Sequence, residues 1–492
     1  MNRHVSKVAL LLFGSGMSAL VYQTVWLRQF RLIFGASTLA SAAVLAVFLG
    51  GLGIGGVVIG RRADESRNPL ALYGFLELGV AMFAAVTPLV FAAVRALYLF
   101  MGGSFSMGPL LATIVRLLLS IITLGVPTFL MGGTLPAASR SVESAGDTGR
   151  RALATIYAIN TCGAVAGALF STFYLLEHFG NRATLWAAAL VNALVGLGAM
   201  TISNSLRRAK RGAKAKRVAD EIEVIESAHG DDVVVAPPVA APRFVYAAAA
   251  VAGFAFLLME LVWYRMLTPL LGGTTFTFGL ILAVALLGIG GGSLAYAAFR
   301  RTRASSAAFA LCCAAEAFCL AIPFALGDRV AMLALLLRPL GQAGFSGHII
   351  GWTAITMLVV FPTAFVSGVQ FPLLISLLGS GREQVGRHVG VAYAWNTAGA
   401  IVGSLAGGFG ILPLLTAPGT WRVVIGSLVL LALFAAFQGT GDGLARLLAI
   451  ATGAGAVAML FATGPTAFWR HTPIGAGRVN QTNSTPNRLR DL

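Results

Sequence analysis

The sequence predicts an all-α polytopic membrane protein made of two parallel six-helix repeats, with one further helix at the C-terminal end. Three observations carry this. The 492 residues are 57% hydrophobic and 11% charged, with mean hydropathy +0.84, where a soluble domain carries about 25% charged residues. The charge-free stretches 32–60, 152–176, 183–206, 266–299 and 389–421 each exceed the ~20 apolar residues that cross a bilayer as a helix. Finally, YAINTCGAVAGAL (157–169) returns as YAWNTAGAIVGSL (393–405), so Tyr157 and Tyr393 set the register of an internal repeat. Long apolar runs without period-2 alternation argue for helices and against an outer-membrane barrel.

The basic start Met1 to Lys7 followed by an apolar run has the outline of a signal peptide. However, Val25-Trp26-Leu27-Arg28 returns as Val262-Trp263-Tyr264-Arg265, so this first helix belongs to the fold. A second helix is expected over 37–60 and a third over 70–94, with one acid, Glu77. A polar, Gly-rich loop follows at 101–108. The fourth helix, after Arg116, is expected to be interrupted by PTFLMGGTLP (127–136). The fifth holds the YAINT motif and the sixth covers 183–205. Residues 1–205 form the N-terminal repeat.

Residues 206–242 run from basic (RRAKRGAKAKR) through acidic to APPVAAP, which reads as a charged, Pro-rich linker. The second repeat, 243–440, answers the first: GGLGIGG with LGIGGGS, PTFLMGGTLP with PTAFVSGVQFP plus one inserted residue, and Glu77 roughly with Glu316. An extra transmembrane helix is expected within 441–464, and 465–492 is a tail.

The net charge of +17 sits in short loops between alternate spans, the positive-inside pattern rather than a nucleic-acid footprint. The N-terminus is therefore expected in the cytoplasm of a multi-pass inner-membrane protein. Cys162, Cys312, Cys313 and Cys319 lie in apolar stretches without metal-ligand spacing. The six histidines are scattered, with no Ser–His–acid or HExxH set. No catalytic residue, metal or cofactor is expected.

GLGIGG contains GxGxxG, but inside a charge-free helix this spells close helix packing, not a nucleotide site. Tyr157, Asn160 and Thr161 share one helix face, repeated by Tyr393, Asn396 and Thr397. Two readings stay open: interhelical glue, or symmetric polar contacts along a central path. Intramembrane acids raise a functional hypothesis by default, which adds Glu77, Glu260 and Glu316 to the substrate-path candidates. Arg28 and Arg265 are expected to snorkel to the outer interface beside Trp26 and Trp263. The Pro-flanked segments are either broken helices lining a path or tolerated kinks.

VYQTVWLRQF, FLGGLGIGG followed by GRRAD, YGFLELG, PTFLMGGTLP and YAINTCGAVAGAL together resemble the membrane portion of the fused major-facilitator/spermidine-synthase proteins, over most of 8–440. The resemblance implies a major-facilitator-like fold and a polyamine context. It also implies a soluble aminopropyltransferase-like domain, whose junction the tail FWRHTPIGAGRVNQTNSTPNRLRDL resembles. Residues 465–492 spell no strand–Gly-rich turn–helix unit, so no transferase residue is carried over. The leading expectation is a transporter-like protein in the lipid bilayer, moving or binding a small cation such as a polyamine. The alternative is a membrane scaffold for a synthase-like domain supplied in cis or in trans.

Overall fold

The computed structural model describes residues 3–35, 38–143, 150–220, 240–272, 275–299, 304–379, 385–438 and 443–462. The described residues are all-helical. The first half comprises α1 (Arg3–Phe34), α2 (Thr38–Glu65), α3 (Pro69–Phe100), α4 (Gly103–Val142), α5 (Arg151–Phe170, carried on by a π turn) and α6 (Gly180–Asp220). The second comprises α7 (Pro242–Leu267), α8 (Thr275–Phe299), α9 (Ser306–Leu326), the short α10 (Asp328–Leu337), α11 (Phe345–Val359), α12 (Phe361–Leu377), α13 (Val385–Ala406, also ending in a π turn) and α14 (Leu412–Phe437). An additional α15 (Gly443–Met459) packs on α9 and α14. Most of the linker, 221–239, and the tail from 463 lie outside the described residues.

Local chemistry sets the helix ends. Asn68 caps α3 by accepting the Ala71 N–H at 3.3 Å, with Pro69 in the first turn. Ser305 caps α9 in the same way, accepting the Ala308 N–H at 3.2 Å. The apolar stretch 385–437 turns back at Thr416 (φ 61), which in the repeat register is the counterpart of Gly180 (φ 68). Trp421 then donates to Leu320 O, much as Trp186 donates to Ala85 O, each at 3.1 Å. The stretch therefore crosses twice, and with α11–α12 counted as one broken span each half has six crossings. Exposed side chains such as Phe75, Leu89, Leu190 and Leu430 give the bundle an apolar outer surface, which in a chain this hydrophobic is the lipid contact.

The repeat extends to single contacts. A Cβ on Gly163 or Gly167 would strike the carbonyls of Phe13 or Met17 on α1; on Gly399 or Gly403, those of Ala250 or Phe254 on α7. Gly55 meets Phe129 O as Gly292 meets Phe365 O. Small residues let backbones approach where hydrophobicity cannot drive association. The two halves meet along α2–α13 and α5–α8, where Gly53 faces Thr397 and Gly290 faces Thr161.

Three expectations need correction. The loop at 101–108 reduces to a turn at Met101–Gly102, with a helical break at Gly108 (φ 69). Next, α4 is not interrupted by PTFLMGGTLP. It stays helical through Pro127 and Pro136, with Thr128 Oγ1 bonded to Leu124 O at 2.7 Å. The break falls instead in the second half, where α11 and α12 meet at 53° around Val360. The inserted residue explains the difference. Phe365, Gly368 and Pro372 align with Phe129, Gly132 and Pro136 in the register that aligns Tyr393 with Tyr157, whereas Pro362 falls one position short of alignment with Pro127. The extra residue is absorbed at the bend, and Pro362 then occupies the first turn of α12, where its missing N–H breaks no bond. Lastly, Trp26 and Trp263 are not interfacial belts. Both are core residues, 1% and 0% exposed, while Arg28 and Arg265 beside them are exposed.

Candidate functional site between the halves

The end of α2 and the starts of α5 and α13 meet at one end of the bundle, which carries Arg140, Arg150, Arg151 and Arg387. There Asp64, at the end of α2, accepts the N–H groups of Gly386 (2.8 Å) and Arg387 (2.7 Å) in the first turn of α13. It also lies 3.5 Å from Arg140. A carboxylate on free N–H groups at a helix N-terminus is a favourable electrostatic arrangement, and here it ties the halves together. On the other side of the pseudo-twofold axis the sign is reversed. Arg151, at the start of α5, donates to Ala297 O of α8 at 2.7 Å. The fully buried Arg150 donates through Nε and Nη2 to Gly379 O, at 3.1 and 3.0 Å. Arg150 Nη2 also lies 3.5 Å from His388 Nδ1, and its Nη1 lies 3.9 Å from Glu143.

Above these ties lies an apolar plug drawn from both halves, including Leu135 and Leu153 from the first and Ile375, Val385 and Val389 from the second. Tyr157, Phe371 and Tyr393 form its aromatic layer, with ring centroids 5.1 Å apart for Tyr157–Phe371 and 6.3 Å for Phe371–Tyr393. The basic end is thus sealed. Sequence reasoning singled out the two tyrosines but missed Phe371, Asp64 and Arg150. The acid in GRRAD, standing among arginines at a helix end, was the available signal.

The Asn-Thr pairs sit just beyond the plug and turn toward the first spans of their own halves. Asn396 Nδ2 donates to Ala249 O of α7 at 3.1 Å, and the Asn396 backbone carbonyl meets Gly253. Likewise the Asn160 carbonyl meets Gly16 of α1. Thr161 Oγ1 closes on Tyr157 O at 2.8 Å, while the Thr161 and Thr397 side chains abut Gly290 and Gly53 across the half–half contact. In this geometry both pairs make helix–helix contacts.

The three acids separate. Glu77 is buried inside the first half, with Ser15 Oγ donating to its Oε1 at 2.6 Å and Asn192 Nδ2 to its backbone carbonyl at 2.9 Å. Glu316 is buried inside the second half against Gln370 of α12. Measured from their N-caps, Asn68 and Ser305, the counterpart of Glu77 is Ala314. Glu316 stands two residues further, about 200° around the helix, so the acids face different neighbours. Glu260 is half-buried. On α7 it falls between the face packed on α13 (Ala250, Phe254, Leu258) and the face bearing Trp263 and Phe256. It shares a stripe with Gly253 and with Tyr246, which abuts the plug, and lies about 10 Å beyond Gly253 away from the seal. Of the three, Glu260 alone is part-exposed, on a stripe of α7 outside both of those faces. Its counterpart on α1, in the register that aligns Trp26 with Trp263, is Gln23.

Among the described residues no group of three His, Cys, Asp or Glu side chains could hold a metal ion. A separate cavity of about 430 Å³ between α5, α8 and α11, lined by residues such as Val165, Leu169, Leu280 and Ile349, is hydrocarbon in character.

No protein-family model matches the chain, and no curated protein does. Solved structures do. A bacterial homologue of the iron transporter ferroportin, in an outward-facing state, aligns with 92% of this chain and 100% of its own at 12% identity and TM-score 0.53. The same homologue soaked with iron aligns with 92% and 99% at the same identity and score. The major-facilitator proton:xylose symporter, bound to a halogenated glucose, aligns with 88% and 95% at 12% identity and TM-score 0.51. At this identity the likeness shows the fold alone: a multi-pass helical bundle of major-facilitator-like architecture. These findings do not bear on the resemblance to spermidine-synthase fusions.

Proposed function

We propose that this chain moves a small polar or cationic solute by alternating access, its two halves rocking about the α2–α13 and α5–α8 contacts, with the basic end in the cytoplasm. The observation that carries the reading is Glu260, a half-buried carboxylate on the α7 stripe that leads away from Tyr246 at the plug, on the far side of a seal to which both halves contribute. An acid in a bilayer is costly and is retained for an ion or substrate path. Paired Tyr157 and Tyr393 form the floor below it. A cation fits this charge, and the family resemblance makes polyamines the first solutes to assay. The ferroportin homologue, described as an iron-transporter relative, provides a precedent for cation transport on this fold.

The test is uptake of labelled putrescine and spermidine into proteoliposomes. Saturable uptake is expected in the wild type, with at least a tenfold loss in Glu260→Gln, about 1.4 kcal/mol of lost solute interaction. Equal uptake by the variant, or no uptake of any cation in a panel extended to metals and amines, contradicts the reading.

A further inference from the structure

The α5–α8 contact between the halves has an open flank. A Cβ on Gly290 or Gly279 of α8 would meet Thr161 or Thr172 of α5 and its π turn, so the two helices run antiparallel in close approach between these points. Beside that line, Val165, Leu169 and Phe173 repeat at i, i+4 and i+8 and form a second stripe. Together with residues within 280–287 of α8 and 345–357 of α11 this stripe walls the cavity of about 430 Å³. One wall belongs to the first half and two belong to the second. At 1.5 Å per residue from Arg151, the stripe lies roughly 21 to 33 Å from the basic end. Leu169 also stands about 120° around α5 from Tyr157, whose ring enters the plug. The cavity is therefore on the side of the contact turned away from the centre of the bundle.

Its chemistry is one-sided. Among the described lining side chains only Thr353 carries a hydroxyl, and that hydroxyl is spent on Ile349 O at 2.7 Å. Nothing in the wall can replace the water around a charged or hydroxylated solute, so a polyamine or a sugar has no foothold here. An apolar space of this size is not left empty. Interiors hold few voids larger than a water, unfilled walls forfeit dispersion contacts, and an engineered apolar cavity of about 150 Å³ stays dry and takes up benzene. Hydrocarbon is the filling this wall accepts, and its source stands at the mouth. Leu169 and Leu287 are 36% and 41% exposed, next to the exposed Phe170, on the apolar outer surface that contacts lipid. A row of rings crosses the end away from the basic loops: Phe173 stacks on Phe276, and Phe276 meets Phe345 edge-on, each at 5.2 Å.

We propose that this cavity is a lipid site, in which one acyl chain of a phospholipid from the leaflet opposite the basic end lies between the two halves. The stripe from Val165 to Phe173 rises about 12 Å, close to the ~15 Å of hydrocarbon in one leaflet, so the chain enters from the side and runs along it. Seated there it touches both halves at once, α5 on one side and α8 and α11 on the other. This sets it apart from the lipid around α3 and α6, which meets only the exposed face of a single half at residues such as Leu89 and Leu190.

The experiment needs no transported solute, so its failure is distinguishable from failure of the polyamine reading. The full chain is reconstituted in phosphatidylethanolamine that carries a diazirine midway along one acyl chain, then extracted into detergent until loosely held lipid is gone. Native mass spectrometry counts the lipid retained, and photolysis locates it. One phospholipid per chain is expected, with adducts within 165–173, 280–287 and 345–357. Ala283→Phe and Val165→Phe fill the space from opposite halves and should each lower the retained lipid at least tenfold. Both add apolar volume to an existing cavity, so each should unfold in lipid-free detergent at or above the wild-type temperature. Leu89→Phe, on the exposed face of α3, should retain lipid as the wild type does. If one filled variant fails to fold, the other decides, and the position of the wild-type adducts decides without either. A wild type that retains no phospholipid, or holds only detergent or a second copy of the chain, overturns the proposal. So do adducts confined to other surfaces, or wild-type retention in a folded filled variant.

Discussion

The two halves share their framework and differ in their wiring. Gly163 on Phe13 and Gly399 on Ala250, or Gly55 on Phe129 and Gly292 on Phe365, are the same contact made twice. The polar groups do not follow the repeat. Glu77 is tied to the first and sixth spans of its half, whereas Glu316 is tied to the broken fourth. Asp64 closes one half–half contact with a carboxylate on a helix N-terminus, and Arg151 closes the other with a guanidinium on the last turn of α8. Backbone approach set by small residues preserves the duplicated architecture, while side chains free of that constraint bond differently in the two halves.

The comparison can be tested from both sides. Ser15→Ala removes the hydroxyl that donates to Glu77 Oε1. It should lower thermal stability in detergent by about 1.5–3 kcal/mol, the range for hydrogen bonds to charged groups. Gly163→Ala and Gly399→Ala each drive a methyl into a backbone carbonyl that cannot turn aside. They should cost about 1–3 kcal/mol apiece, and a clear difference between the two would break the symmetry claimed for the framework. Trp421→Phe removes a buried indole bond and should cost about 0.5–1.5 kcal/mol. Trp186→Phe, at a ring 54% exposed, should cost distinctly less. Asp64→Asn weakens the charge on the α13 N-terminus by about 0.3–1 kcal/mol, read as faster maleimide alkylation of Ile375→Cys in the plug.

Much of the framework was legible in the sequence because composition and repeat spacing report it directly. Charge-free runs gave the spans, and the YAINT/YAWNT register located the repeat down to the Gly163 and Gly399 contacts. The faces of the acids were not legible. Helices that are apolar all round, such as α8 and α9, carry no amphipathic stripe from which to orient a residue, so Glu77 and Glu316 looked equivalent. Only the caps at Asn68 and Ser305 reveal the two-residue slip. The bend at Val360 was hidden for a related reason: a proline segment does not announce whether neighbouring helices will straighten it, and the inserted residue before Phe365 decided the outcome. Trp26 and Trp263 were misplaced because a Trp–Arg neighbour pair spells an interface belt, while here the indoles pack inward and only the arginines reach out.

Alternating access requires the halves to move as two bodies about the glycine-lined contacts. Distance distributions between spin labels in lipid bilayers test that motion most directly. One pair, Glu65→Cys with Phe299→Cys, spans the halves at the basic end. A second, Phe299→Cys with Gln438→Cys, lies within the second half, and all three positions are exposed. Across a titration with added cations, two-body motion predicts one narrow distance within the half and two exchanging distances between the halves. A single unchanging distance for both pairs, with and without added cations, would contradict it.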